Sequence, residues 1–314
     1  MSEDHWLRRA FEDHSRDLHS HCYRLSGNVT DADDLVQETF VRAWRSRAGY
    51  ERRASARTWL YRIATNAFLE SRKAAARRLL PVGDPFESST DLGPYPDSLL
   101  AGDPEPAGLA SEMVELALIA ALMYLPPRQR AAFVLRDVHG WTAAETAEAL
   151  DVSLPTANSL LQRARATVRR HAPADREDWR RPELTRDDKE LLRRYAAARD
   201  AADFRALLAD DVRITMPPDP PVTGIRAAAE FLGRPFDWHT IPSSANGRPA
   251  LVGYLRHPGN AQYDGLVVDV LRVVDGRIAE INAFVGARHV TTFGLPATWD
   301  PSSGDLPRRN APWT

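Results

Sequence analysis

The residues best suited to chemistry in this chain lie on a short run near its middle, Ser153 to Arg169. Thr156, Asn158, Ser159, Gln162, Arg163, Arg165 and Arg169 surround a stripe of Ala157, Leu160, Leu161, Ala164 and Val168. The stripe has the three/four spacing of a helix with one buried face. Amides and hydroxyls at the polar positions can pair with base edges in a major groove, and the arginines can neutralise phosphates. An ordinary helical hairpin with a solvated arginine face has the same pattern, so the decision rests on what lies upstream.

Two more clusters lie there. Arg57, Trp59, Arg62, Asn66, Arg72 and Lys73 interleave rings with cations. That mixture suits single-stranded DNA, where bases stack on aromatics and arginines hold the backbone. Trp59 is equally suited to a core. Asp33, Asp34, Gln37 and Glu38 form an acidic patch near a helix start, where negative charge is stabilising in any case. It could also dock a basic helical partner. His14, His19, His21 and Cys22 lack the second ligand set that a zinc site needs, and read as a polar helix face.

Helices position all of these. Residues 3–27 carry helical spacing and stop at Gly27-Asn28. Thr30 or Asp31 is expected to cap the next helix, which packs through Leu35, Phe40, Val41 and Trp44. A further helix from Thr58 packs through Trp59, Leu60, Ile63, Ala64, Ala67 and Phe68. Downstream, Thr142 and Glu145 have capping-box spacing. Asp151-Val152-Ser153 is a tight turn, and Asp tolerates the left-handed backbone it needs. Ser153 caps the recognition-type helix, and Pro155 sits harmlessly in its first turn.

At 314 residues the chain has room for two or three domains. Its net charge of −2 averages unlike segments. Residues 1–80 are roughly +4, residues 81–112 roughly −7 without a basic residue, and residues 113–181 roughly +2. The acidic stretch is rich in Pro, Gly and Ser and reads as a flexible tether. A single cysteine, Cys22, excludes an internal disulfide framework and fits a reducing cytoplasm. No signal peptide and no membrane-length apolar run is seen.

DADDLVQETFVRAW followed by RTWLYRIATNAFLESRK resembles region 2 of the extracytoplasmic-function group of sigma-70 family factors. LPPRQRAAFVLRDVHGWTAAETAEAL with TANSLLQRAR resembles their region 4. The resemblance implies that Asp33, Asp34, Gln37, Glu38 and Arg42 meet the β′ clamp helices of core RNA polymerase, with the β flap a further contact. Arg57, Trp59, Arg62, Asn66, Arg72 and Lys73 would read and open the −10 promoter element. Thr156, Asn158, Ser159, Gln162, Arg163 and Arg165 would serve the −35 element, the arginines on phosphates. An anti-sigma partner is left open. Two positions depart from many relatives: Glu70 replaces Asp, and Leu160 replaces Arg.

Small sigma factors usually end after this helix, yet 143 residues remain here, from 172 to 314. They read as helices at 185 onward and ADFRALL, a strand at VRITMP, a helix at Gly224–Leu232, and strands at PALVGYLRHP, YDGLVVDVLRVVDG and GRIAEINAFVG. Asp275-Gly276 is a hairpin turn. The pattern resembles the SnoaL-like branch of the nuclear-transport-factor-2-like cone folds. Such cones hold an apolar pocket, and some relatives are enzymes with an Asp or His acid/base. Asp211, Trp238, Tyr254, His257 and Asp269 are the pocket candidates, with Phe236 and His239 beside them; spacing fixes no catalytic pair among them.

The expected organisation is therefore multidomain. Region 2 occupies 1–78, an acidic flexible linker 79–112, and the region 4 helix-turn-helix 113–172. A joint at 173–184 leads to an α+β cone at 185–294 and a mobile Pro-rich tail at 295–314. The expected function is promoter-directed transcription initiation with core RNA polymerase and promoter DNA as partners, without metal or cofactor. The cone would act as a regulator that can take a small ligand; the alternative is a catalytic cone fused to a sigma module.

Overall fold

The computed structural model describes residues 3–50, 55–76, 92–100, 116–171, 184–304 and 306. The chain divides into two compact units, one of residues 1–85 with 99–180, the other of residues 86–98 with 181–314.

The first unit is helical. α1 (Glu3–Ser26), α2 (Val29–Ser46) and α3 (Ala56–Ala76) form a bundle around Leu7, Leu18, Cys22, Tyr23, Leu25, Leu60, Ala64 and Phe68, all without accessible surface. Gly27 ends α1 with φ +91°, and a Cβ there would stand 2.6 Å from the Met123 sulfur. The cap of α2 is Asn28, not Thr30 or Asp31. Its Oδ1 accepts from the Asp31 N–H at 2.8 Å, because the left-handed turn at Gly27 already sets Asn28 in the extended conformation a cap requires.

Four further helices follow: α4 (Leu116–Met123), α5 (Pro127–Phe133) with a π-helical turn at Val134–Val138, α6 (Ala143–Ala149) and α7 (Leu154–His171). Thr142 and Glu145 form the expected capping box, and Asp151 takes φ +50°. The buried residues of α7 are Ala157, Leu160, Leu161, Ala164 and Val168, the stripe read from the spacing.

The second unit is a cone. Helices α8 (Arg186–Ala197), α9 (Ala201–Arg205) and α10 (Ile225–Leu232) fill the concave side of a curved sheet. Its strands are β1 (Leu208–Met216), β2 (Asp219–Thr223), β3 (Asp237–Ala245), β4 (Arg248–Arg256), β5 (Tyr263–Val274), β6 (Arg277–Val285) and the short β7 (Thr298–Trp299). The order is β2-β1-β6-β5-β4-β3, with β7 on the start of β5. Among the described strands only β1 and β6 pair in parallel. Leu192, Tyr195, Phe204, Leu251, Leu271, Ile278 and Ile281 make the core between helices and sheet. On the convex side, α11 (Ala287–Thr292) packs against β5.

Two boundaries differ from expectation. The stretch at 295–314 is not a separate tail where it is described: β7 adds to the sheet, Leu306 is buried, and the Trp299 ring lies tilted against His239 and Tyr263, centroids 4.5 and 5.3 Å away. An aromatic ring that covers other rings buries more apolar area than a free peptide could. Residues 307–314, with Trp313, lie outside the described residues. The acidic linker also holds a fixed piece, taken up below.

Candidate functional site

The polar face of α7 is open. Thr156, Asn158, Gln162 and Arg163 are exposed and Ser159 is half-buried. Five residues on a rigid helix, backed by a full apolar stripe, can enter a groove without local rearrangement. Arg165 stands apart from this group. Its guanidinium donates twice to the Asp137 carboxylate, at 2.8 and 2.6 Å, and Asp137 holds its charge further into the cationic range. A phosphate would have to compete with that pair.

On α3 the cations are also engaged. Arg57 lies 3.4 Å from Asp17 and over the Tyr61 ring. Arg62 is paired with Glu148 at 2.5 Å, and Arg72 with Asp31 at 2.9 Å. Lys73 is exposed and Asn66 half-buried. Trp59 joins a surface aromatic group with Trp6 and Tyr50, centroids 5.9 and 4.8 Å away. The fully buried rings of α3 are instead Tyr61 and Phe68.

Asp33, Asp34, Gln37 and Glu38 project from α2 into solvent. Arg42 bridges Glu38 at 2.6 Å and Glu70 at 2.7 Å. Glu70 thus keeps the carboxylate its position needs, so the change from Asp removes no charge. Phe40, Val41 and Trp44 are also exposed beside these acids, at 40%, 39% and 36%. A face of acids and uncovered rings is suited to a partner that is itself apolar and basic.

The two helical modules close on each other within the first unit. Arg130, buried on α5, donates to the Leu25 carbonyl at 2.6 Å and to those of Met123 and Leu125. Burial pulls its pKa down to about 9. His21 of α1 bonds His139 at 2.9 Å and Thr65 at 3.1 Å and stacks on Tyr61. Burial, reinforced by Arg24 and Arg57, holds His21 neutral with a pKa of about 3, and His139 is likewise pushed well below the usual range. The Arg62–Glu148 pair spans the same seam, from α3 to α6. Histidines at 21 and 139 therefore act as paired hydrogen-bonding groups. Sequence reasoning could not couple them across that separation. Among the described residues no cluster of ligands could hold a metal.

The linker is the larger surprise. A free tether was expected over 79–112, but Pro96 forms a β-bridge with Ala245. Tyr95 exchanges two bonds with Asn246: its N–H donates to Asn246 Oδ1 at 2.8 Å and its carbonyl accepts from Asn246 N–H at 2.9 Å. Asp97 Oδ1 accepts from Gly247 N–H at 2.9 Å, and Tyr95 has no accessible surface. The hairpin turn Asn246-Gly247, with φ +54° and +72°, turns its amides outward, and the linker meets them. β3, the strand leading into that turn, was missed in the sequence. Asn-Gly between alternating runs was the signal for it.

The cone candidates separate. Asp211 is exposed on β1, and His257 on the loop after β4. Tyr254 is buried on the convex side, its hydroxyl donating to the Pro296 carbonyl at 2.7 Å. Tyr254 follows Gly253 on β4, so plain alternation along the strand puts it on the face opposite Leu251 and Gly253. Phe236 is 53% exposed. Trp238 and Asp269 alone remain on the concave side, with the Trp238 ring against Gly253. Burial pushes the Asp269 carboxyl up to about 7.

Comparison with known proteins assigns all three parts. Family models described as Sigma-70 region 2, Sigma-70 region 4 and SnoaL-like domain match residues 10–78, 115–168 and 190–281. The chain is 36% identical over 310 residues to ECF RNA polymerase sigma factor SigG of Mycobacterium tuberculosis, covering 91% of this chain and 82% of that one. It is 37% identical over 162 residues to SigE of Mycolicibacterium smegmatis, covering 50% of this chain and 57% of that one. The crystal structure of the M. tuberculosis extracytoplasmic function sigma factor SigJ superposes with a TM-score of 0.57 at 25% identity, covering 90% of this chain and 97% of that one. With two helical modules in this order, a cone behind them and a relative matched along nearly its whole length, the chain belongs to the ECF RNA polymerase sigma factors and carries a SnoaL-like domain.

Proposed function

We propose that this protein brings core RNA polymerase to promoters and that its own cone limits when it does so, by holding the linker between the two promoter-binding modules. The observation that carries the second half is the fixing of Tyr95, Pro96 and Asp97 on the β3–β4 turn. A linker held there is not free to pass along a polymerase cleft.

The closed first unit supports the same reading. Elements named −10 and −35 lie about 25 base pairs apart, on the order of 80 Å along B-DNA. Modules joined by direct contacts such as Arg62–Glu148 and Arg130–Leu25 cannot grip both. Opening must break those contacts and release linker length. Asn158, Ser159, Gln162 and Thr156 then read the −35 bases, with Arg163 on the backbone. Arg57, Trp59, Arg62, Asn66, Arg72 and Lys73 act at the −10 element, Arg62 only after Glu148 lets go. Asp33, Asp34, Gln37, Glu38 and Arg42, with the rings of α2, form the polymerase face. The protein acts as a transcription factor and not as an enzyme. In support, Asp211, His257 and Asp269 do not converge.

Run-off transcription with core polymerase tests this. The chain carrying Tyr95→Ala should initiate more than the parent at limiting concentration and bind core polymerase more tightly. Equal output and equal affinity would sink the linker mechanism; no initiation by either chain on any promoter would sink the sigma assignment.

A further inference from the structure

The recognition helix carries one exposed side chain that neither its buried stripe nor its polar face explains. Leu154, the first residue of α7, is 47% exposed. It takes no part in the stripe of Ala157, Leu160, Leu161, Ala164 and Val168. Among the described residues of the first unit, the other exposed large apolar side chains are Phe40, Val41 and Trp44, which lie together on α2. Water around such a side chain is unfavourable, and an apolar partner relieves it.

The setting of Leu154 is rigid. The turn before it is closed by the Asp151 N–H on the Glu148 carbonyl at 3.2 Å and the Val152 N–H on the Ala147 carbonyl at 3.0 Å. The Ser153 and Thr156 hydroxyls bond each other at 2.8 Å, and the Ala157 N–H donates to the Ser153 carbonyl at 2.9 Å. Pro155 follows with its φ fixed by the ring. Leu154 thus has a set place at the tip of the helix, and the amino-terminal residues of a recognition helix are those that reach base edges. It stands about 40° around the helix from Asn158 and about 80° from Gln162, on the flank of the same face. A rise of about 6 Å separates Leu154 from Asn158, close to two base-pair steps of about 3.4 Å.

The base edges of a major groove present donors and acceptors, and one apolar group, the C5 methyl of thymine. Phosphates and amide edges gain nothing from a leucine. We propose that Leu154 is a specificity-determining residue of the −35 contact and packs on the C5 methyl of a thymine within about two base pairs of the pair that Asn158 reads. This rests on α7 being the −35 helix and is independent of the linker mechanism.

Holoenzyme made from core RNA polymerase and the full chain selects sequences from a duplex library randomised across the −35 region. Thymines of the selected element are then replaced one at a time by deoxyuracil, which lacks only the methyl. One replacement should weaken binding about fourfold, the worth of one buried methyl-sized group. The salt slope should not change, because no phosphate contact is lost. Leu154→Ala should bind the thymine and uracil duplexes equally, while Leu154→Met keeps the preference. The side chain is exposed, so Leu154→Ala should retain the thermal transition of the parent and its affinity for core polymerase. Three results would overturn the proposal alone: no uracil effect at any selected thymine, the same uracil penalty in Leu154→Ala as in the parent, or weaker binding of Leu154→Ala to core polymerase, which would make Leu154 a protein contact. A library that enriches no −35 sequence would overturn the reading of α7 and this proposal with it.

Discussion

Replacing Tyr95 by Ala should release the linker from the cone, and the size of the effect follows from the structure. The Tyr95 side chain has no accessible surface. Truncating a buried aromatic costs about 3–5 kcal/mol. The two backbone-level bonds to Asn246 and the Asp97–Gly247 bond remain available, each worth about 1 kcal/mol net. At about 1.4 kcal/mol per tenfold, the held-to-free ratio should fall by about two to three and a half orders of magnitude. The fall is capped by the stability of the held state itself. Hydrogen exchange read by mass spectrometry measures it directly. The amides of Tyr95, Asn246 and Gly247 should exchange faster by that factor, while those in the β4–β5 ladder keep their protection. Asn246→Ala provides a second perturbation. It leaves the buried Tyr95 N–H without its acceptor, costing about 1–3 kcal/mol, and strains a residue at φ +54°. Unchanged protection of the 92–98 segment in both variants would refute the idea that these contacts hold the linker.

Glu148→Ala should free Arg62 and loosen the seam between helical modules by a few-fold at most, since an exposed pair is worth about 0.2–1 kcal/mol; energy transfer between dyes on α2 and α7 reads the opening, and high salt should mimic the variant. The two units should respond to pH in opposite directions. His21 has its folded pKa lowered to about 3, so the unfolded chain binds more protons below pH 6.5 and the first unit loses up to about 1.4 kcal/mol per pH unit on acidification. Asp269 has its folded pKa raised to about 7, so the cone is helped at low pH and loses that help as pH rises from about 4 through 7. Calorimetry at pH 5 and pH 8 should show the transitions moving in opposite senses, and parallel movement would contradict the assignment for whichever unit moved the wrong way. On α7, Asn158→Ala or Gln162→Ala should change −35 preference by about 1–3 kcal/mol per lost base contact, whereas Arg163→Ala should weaken all sequences alike and reduce the salt slope. Identical uniform losses from both kinds of change would mean the face is misassigned.

Helical spacing and caps were legible because they are local. The α7 stripe, the Thr142 capping box and the left-handed Asp151 each depend on residues within a turn or two. The two sigma regions could be recognised from long ordered motifs, and the cone from its helix opening and hairpin. The pocket set was less legible. Asp211, His257 and Tyr254 fit the chemistry, but exposure of the first two and the strand parity of Tyr254 put them off the concave face. A strand's alternation gives two faces without saying which is inside, and a single-residue slip exchanges them.

What the sequence by itself determined is the set of modules, their order and the polar face of the recognition helix. The modules and their order follow from the resemblance of long, ordered motifs, and the polar face from short-range periodicity and steric preference. Only the tertiary structure decided which of those residues are already engaged. His21 meets His139 across 118 positions, Arg62 meets Glu148 across 86, and Tyr95 meets Asn246 across 151. Such pairs form because packing of apolar faces brings the segments together. The polar partners then satisfy groups that water can no longer reach. Composition made the linker look free; the outward amides of an Asn-Gly turn on a distant strand hold it.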